Sequence, residues 1–255
     1  MTEFIVGMAP MIIKDPTDRD KNETKEHFFN RKGFPDIIGL IDGSHIRIDK
    51  PDEDPESYIN RKKYFSIQLQ AVVNEKGKFI DVFTGYPGSV HDARVFRNSP
   101  IYPELPNLCQ GQGYLLGDSA YPCSPNLITP FRDNGHLTRA QRNFNTVHSS
   151  CRITVEHTFG WLKQRFRQLY HLKTRNLVEI VRIIHACCVL HNVADMDDLE
   201  GFEEPLPEDY PDRDAEEING PEGIVDNLGD PIDADGGKIL RNEICRQLAM
   251  RGANL

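Results

Sequence analysis

The sequence predicts an α/β fold in which helices flank a mixed sheet. Three observations predict it: short apolar or alternating runs typical of strands come early, segments with helical periodicity come late, and turn residues separate them. With 255 residues, the chain is long enough for one substantial core with appended segments.

Four strands are predicted in the first half of the chain. The first is the apolar run at residues 37–41, which a Gly-Ser pair follows. Segments 64–74 and 79–87 come next, joined by the Gly-containing turn EKGK, and together they predict a β-hairpin. The fourth strand lies in GYLLGDSAY, where an apolar run ends on Asp118.

Helices are predicted after the hairpin and in the second half of the chain. One begins at Ser89 and ends before Pro100. Residues 151–169 place apolar side chains at helical spacing, which indicates that one face packs against the core. Residues 176–195 are apolar nearly all round, and this pattern is typical of a helix buried against a sheet.

Charge is unevenly distributed and divides the chain into parts. Residues 195–235 contain 17 acidic residues and a single Arg, a contribution of -16, so the rest carries -9 + 16 = +7. We predict an N-terminal arm at 1–33 without a complete helix-turn-helix, a core domain at 34–197, an acidic, Pro-rich, disordered linker at 198–236 and a short docking helix at 237–255. The docking side chains expected in that helix are Ile239, Leu240, Ile244 and Leu248.

Basic residues are concentrated in the second half of the core domain. Between residues 139 and 182, nine Lys or Arg accompany two acidic residues. A solvated helix face and a phosphate-binding surface both account for this excess. Lys163 and Arg167 share a helical stripe with Glu156, where we expect them either to bind phosphates or to neutralise nearby carboxylates. A second basic group precedes a predicted strand and consists of Arg61, Lys62 and Lys63.

Several classes of protein are excluded by the absence of their motifs. No run approaches the roughly 18 consecutive apolar residues of a membrane span, so no membrane association is expected. No HExxH or Walker sequence occurs, which leaves little support for a zincin or a nucleotide hydrolase.

Two predicted strands end in an aspartate, Asp42 and Asp118. If these strands are parallel neighbours, the carboxylates lie about one strand spacing apart, roughly 4.8 Å, and repel each other unless a cation lies between them. Glu156, on a helix crossing the same end of the sheet, would complete a site for two divalent ions. Alternatively, both aspartates only occupy turns.

Four blocks of the sequence resemble the PIF/Harbinger-type DDE transposases and the nuclease derived from them. In chain order they are GFPDIIGLIDGSHIRI, NRKKYFSIQLQAVVNEKGKFIDVFTGYPGSVHDARVFRNS, LLGDSAYP with LITPFR, and TVEHTFGWLKQRFR. The resemblance extends from Phe29 to Asn192. It implies an RNase H-like fold in which Asp42, Asp118 and Glu156 are the catalytic, metal-binding residues.

The resemblance also implies a function. It implies a DNA endonuclease that hydrolyses phosphodiester bonds by a two-metal mechanism with Mg²⁺ or Mn²⁺, a Myb-like DNA-binding partner protein, and a location in the nucleus, alone or together with the cytoplasm. Asp92, in the block GSVHDARVF, either supports the metal site or caps the helix that begins nearby.

A different class of function is the alternative. The chain would then be a domesticated, catalytically inactive nuclear protein that binds DNA or partners. The acidic linker at 198–236 would serve as a docking segment for a partner or as a guard that competes with DNA for the basic surface.

Overall fold

The structure, a computed structural model, describes residues 1–194 and 234–252, which fall into two compact units. The described part of the first unit consists of residues 1–15, 42–102 and 154–194. The described part of the second unit consists of residues 16–41, 103–153 and 234–252. No helix in these ranges is long and apolar enough to cross a membrane.

A mixed five-stranded sheet forms the centre of the fold. Its strands are β1 (Ile37–Arg47), β2 (Ser66–Val73), β3 (Phe79–Pro87), β4 (Tyr114–Leu116) and β5 (Leu127–Ile128). Their order is β3-β2-β1-β4-β5; β2 and β3 pair antiparallel, whereas β1–β4 and β4–β5 pair in parallel. The predicted α/β class and hairpin are confirmed, and the first and fourth strands are parallel neighbours, which was the condition for bringing their aspartates together.

Strand β1 is longer than the sequence predicts. The expectation that Gly43 and its neighbouring serine end the first strand is wrong, because β1 continues to Arg47. β1 lies between β2 and β4, and pairing with a neighbouring strand favours an extended backbone through residues that would otherwise turn. Asp42 therefore lies within a strand and not at its end.

Eight α-helices are described in these two ranges. They are α1 (Thr2–Gly7), α2 (Ala9–Ile12), α3 (Asp18–Lys32), α4 (Asp92–Arg97), α5 (Ile101–Cys109), α6 (Arg139–Arg165), α7 (Leu177–Val193) and α8 (Ala234–Gly252). The predicted N-terminal arm at 1–33 thus contains three of them. α3 has two strong end signals, a capping box between Thr17 and Asp20 and a left-handed Gly33 after its last turn.

Helix α6 differs from its prediction at its C-terminus. It is one continuous helix that ends at Arg165, because Phe166 leaves the helical conformation with φ -116° and ψ 72°. Arg167 therefore begins a short 3-10 helix and does not continue the stripe of Glu156 and Lys163. The helix predicted for residues 151–169 is therefore confirmed only as far as Arg165.

The last two helices confirm their predictions in outline. α7 matches the predicted helix at 176–195 and buries most of one side. In α8, Ile244 and Leu248 are buried as expected, but Ile239 is 70% exposed, so its predicted docking role is wrong. Residues 198–233 of the predicted acidic linker lie outside the described residues.

Candidate active site

Asp118 lies two residues past the end of β4, in the second unit. The strand is fully buried, and Asp118 itself is only 3% exposed. Its Oδ1 atom accepts a hydrogen bond of 3.0 Å from the backbone N–H of Ala120, and the N–H of Tyr121 donates to its carbonyl at 3.3 Å. The turn that follows the strand therefore fixes both the backbone and the carboxylate of Asp118.

Asp42 lies in the part of β1 that belongs to the first unit. Its side chain is half-buried, and Oδ1 accepts a 2.9 Å hydrogen bond from the backbone N–H of Gly43. The carboxylate of Asp92 lies against Gly43, since a β-carbon at residue 43 would be 2.9 Å from Asp92 Oδ1. The structure thus brings a second carboxylate to the residue directly after Asp42.

The loop before Asp92 is held against strand β2. The backbone N–H of Gly88 donates to the Ser66 carbonyl at 2.9 Å, and the side-chain amide of Gln68 donates to the Val90 carbonyl. Both β2 residues are buried, so these bonds form away from water and fix the loop in one position. The sequence signal for the Gln68 contact is a polar side chain between Ile67 and Leu69 in the predicted hairpin strand.

The helix-capping alternative for Asp92 does not match its position. His91 is the N-cap residue of α4, and Asp92 is the first residue of the helix. No side-chain capping hydrogen bond is made at His91. The contact with Gly43 is therefore the better account of where the Asp92 carboxylate points.

Within the second unit, the start of β1 pairs in parallel with β4. Leu40 is paired with Leu116 in the parallel register. Each leucine is followed two residues later by an aspartate, Asp42 in one chain segment and Asp118 in the other.

Glu156 is half-buried on α6 and belongs to the first unit. Carboxylate oxygens are the donors that Mg²⁺ and Mn²⁺ prefer, so the chemistry of Asp42, Asp118 and Glu156 suits such an ion. Within residues 1–194 and 234–252, however, no group of three or more His, Cys, Asp or Glu side chains is close enough to hold a metal. The three-carboxylate cluster stays a prediction.

The predicted phosphate contacts differ in their exposure. Arg61, Lys62 and Lys63 are all exposed, as is Arg167. The side chain of Arg61 also contacts the ring of His91, with 2.9 Å between Nη2 and Nε2. Binding of DNA by these residues stays a prediction.

Lys163 is placed differently, in the interior of the first unit. It is 3% exposed, and its ammonium donates a 3.2 Å hydrogen bond to the backbone carbonyl of His45 in β1. The Lys163 ammonium thus has a partner within the first unit, and its predicted contact with a phosphate stays a prediction. Phe159 and Leu162, on the predicted apolar face, are buried too, and the sequence does not show that Lys163 lies inside with them.

A comparison with protein families matches more than half of the chain to a family of endonucleases. The model of the DDE superfamily endonuclease family matches residues 41–192, which include β1 from its middle, the rest of the sheet, and helices α4 to α7 up to Asn192. The chain therefore belongs to the DDE superfamily of endonucleases.

Individual relatives agree with the resemblance shown by the four sequence blocks. "Putative nuclease HARBI1" of Bos taurus is 32% identical to the chain over 76% of its length and 56% of the relative's, and the Homo sapiens protein of the same name is 31% identical over 81% and 60%. "Protein ALP1-like" of Arabidopsis thaliana is 32% identical over 74% and 50%. The chain thus spans between half and 60% of the length of these curated relatives. No solved structure matches it.

Proposed function

We propose that the chain is a metal-dependent DNA endonuclease of the DDE type, which hydrolyses phosphodiester bonds. Membership of the endonuclease family and the names of the HARBI1 relatives support a nuclease. The observation that carries the finer proposal is the family match over residues 41–192, the range that contains Asp42, Asp118 and Glu156.

The topology supports an RNase H-like fold for this proposal. The sheet has the order β3-β2-β1-β4-β5, in which an antiparallel hairpin is followed by three parallel strands, β1, β4 and β5. In open sheets with parallel strands, functional groups gather where those strands end, and Asp118 follows β4 at such a position.

Asp42, Asp118 and Glu156 are the residues that we propose to hold Mg²⁺ or Mn²⁺, with Asp92 in a supporting position. The bound ions would activate the attacking water and stabilise the leaving oxygen in a two-metal mechanism. Ala120 holds the Asp118 carboxylate through its backbone N–H. Gly43 leaves the space that the Asp92 carboxylate occupies.

Calorimetric titration of Mg²⁺ and Mn²⁺ into the full chain, with nicking of supercoiled DNA measured on the same samples, tests the proposal. Asp118→Asn retains an oxygen that accepts the Ala120 hydrogen bond but loses the charge, so we expect a folded variant without saturable metal binding or nicking. Asp133→Asn is the matched control, because Asp133 accepts a similar 2.9 Å bond from Gly135 in an exposed loop. Unchanged binding and nicking in Asp118→Asn would reject the proposal.

A second candidate is a catalytically inactive nuclear protein that binds DNA or a partner. It is favoured by the Arabidopsis relative, which is as similar to this chain as the HARBI1 proteins and has no nuclease in its name. Metal binding or DNA binding without nicking would support this candidate. The Myb-like partner and the nuclear location stay predictions.

A further inference from the structure

The basic turn, residues 60–64, has a fixed backbone in the first unit. The N–H of Lys63 donates to the Asn60 carbonyl at 2.9 Å, and Lys63 adopts the left-handed conformation with φ 65°. The N–H of Tyr64 donates to the Asn60 side-chain oxygen at 3.3 Å. Arg61 and Lys62 therefore project from a turn whose shape is set by its own hydrogen bonds.

Arg61 is directed from this turn towards helix α4. Its Nη2 atom lies 2.9 Å from Nε2 of His91, the N-cap residue of that helix. A guanidinium can only donate, so the His91 nitrogen is the acceptor in this contact. The contact joins the basic turn to the loop that Ser66 and Gln68 hold on β2.

The same loop leads directly to the candidate site. Asp92 follows His91, and its carboxylate lies against Gly43, the residue after Asp42. The Arg61 guanidinium is thus held one residue away from a carboxylate of the proposed site. All of these residues belong to the first unit.

We propose that Arg61 binds a phosphate of the DNA strand next to the active site and that His91 is a positioning residue for its guanidinium. This inference rests on the proposed function. A guanidinium carries five N–H donors in a planar fork that matches a phosphate, and the His91 contact uses one of them. Orienting this long side chain before DNA arrives reduces the entropy that binding must otherwise remove.

The salt dependence of DNA binding by the full chain tests this inference. Binding of a fluorescein-labelled duplex would be measured by anisotropy in EDTA over a series of KCl concentrations. Arg61→Ala should make the negative slope of log K against log [KCl] shallower by about 0.9, because one phosphate contact is lost. Lys76→Ala is the control, because it removes one charge from the turn after β2 and should leave the slope unchanged.

The positioning role of His91 is tested by a double-mutant cycle. His91→Ala should weaken binding several-fold in the wild-type chain and have no further effect in Arg61→Ala, because it acts only through Arg61. His91→Gln offers an acceptor oxygen and should restore most of the affinity. A role limited to stability would give additive effects and no rescue, and thermal unfolding of each variant would record any loss of folding.

The outcomes separate this inference from the proposed function. An unchanged slope in Arg61→Ala, or additive effects in the cycle, would overturn the inference while wild-type nicking left the nuclease proposal standing. A wild-type chain that binds no duplex would overturn both. If His91→Ala does not fold, the slope of Arg61→Ala and the affinity of His91→Gln still decide the result.

Discussion

The carboxylate of Asp92 lies against the backbone of Gly43, so close that a β-carbon there would be 2.9 Å from Asp92 Oδ1. Real β-carbons do not come this near to an oxygen without a shift of one partner, so glycine is required for the arrangement. The contact connects the middle of β1 with the start of α4, and it brings the Asp92 carboxylate to the residue that follows Asp42.

Gly43→Ala should therefore displace the Asp92 carboxylate and reduce nicking at least about ten-fold. The unfolding free energy should fall by only about 1 kcal/mol, because the short Asp92 side chain can rotate away from the added methyl group. Urea denaturation and plasmid nicking would be measured together. Gly7→Ala is the matched control, since nothing lies within 4 Å of a β-carbon at residue 7. Wild-type nicking by Gly43→Ala would show that the contact has no part in activity.

Asp81, in β3, should make stability depend on pH. Burial, and then the nearby Asp15 carboxylate, raises its pKa to about 6. Its Oδ2 atom is buried and has no hydrogen-bond partner among the described residues. This pKa is above the value in the unfolded chain, so the neutral carboxyl group is favoured by folding. Its contribution to the unfolding free energy is fully present below about pH 4 and is lost as the pH rises through 6.

Asp81→Asn removes this dependence. Its unfolding free energy should exceed that of the wild type by about 2 kcal/mol at pH 8 and by much less at pH 4. Asp15→Asn should give a smaller gain at pH 8, because Asp15 is the lesser cause of the raised pKa. Urea denaturation at both pH values is the measurement, and an equal gain at pH 4 and pH 8 would contradict the assignment.

The sequence predicted the elements that depend on interactions between residues close together in the chain. The hairpin strand β3 has the predicted bounds at residues 79–87, because alternation and a Gly-containing turn specify it. β5 was not predicted, since Leu127 and Ile128 form a strand only by pairing with β4. α5 was also missed, because Pro106 lies inside it and proline is a helix-breaking signal.

The candidate site was predictable in its residue types but not in its contacts. An apolar strand followed by Asp118 and a turn is visible in sequence, and the structure adds the Ala120 hydrogen bond. The contact between Gly43 and the Asp92 carboxylate joins segments that are far apart in the chain, so the periodicity of either segment does not predict it. The resemblance to a family identified the acidic residues, whereas packing decided that Lys163 lies inside.

Arg241 should fix α8 to the second unit. Its guanidinium lies 4.2 Å from the centroid of the Phe131 ring and donates to the carbonyls of Thr129 and Pro130 at 3.4 and 3.0 Å. Arg241→Lys keeps the charge but loses the planar stacking and the fork, so the unfolding free energy should fall by about 1 to 2 kcal/mol. Arg246→Lys, on the same helix, should change it by less than about 0.5 kcal/mol, because the ion pair that Arg246 makes with Glu243 is exposed. Equal effects of the two substitutions in thermal unfolding would reject this role.

Lys163 and Arg167 should behave oppositely in DNA binding, although both lie in one basic stretch. Lys163 is buried and donates to the His45 carbonyl, so Lys163→Met should leave the salt dependence of duplex binding unchanged and lower the unfolding free energy by about 1 to 3 kcal/mol. Arg167 is exposed beyond the end of α6. Arg167→Ala should therefore make the negative slope of log K against log [KCl] shallower by about 0.9, with little effect on stability. Arg175→Ala is the control for loss of an exposed charge, since Arg175 pairs with Asp52 at 3.4 Å. A shallower slope in Lys163→Met would show that the ammonium reaches DNA, and that its buried position changes when DNA binds.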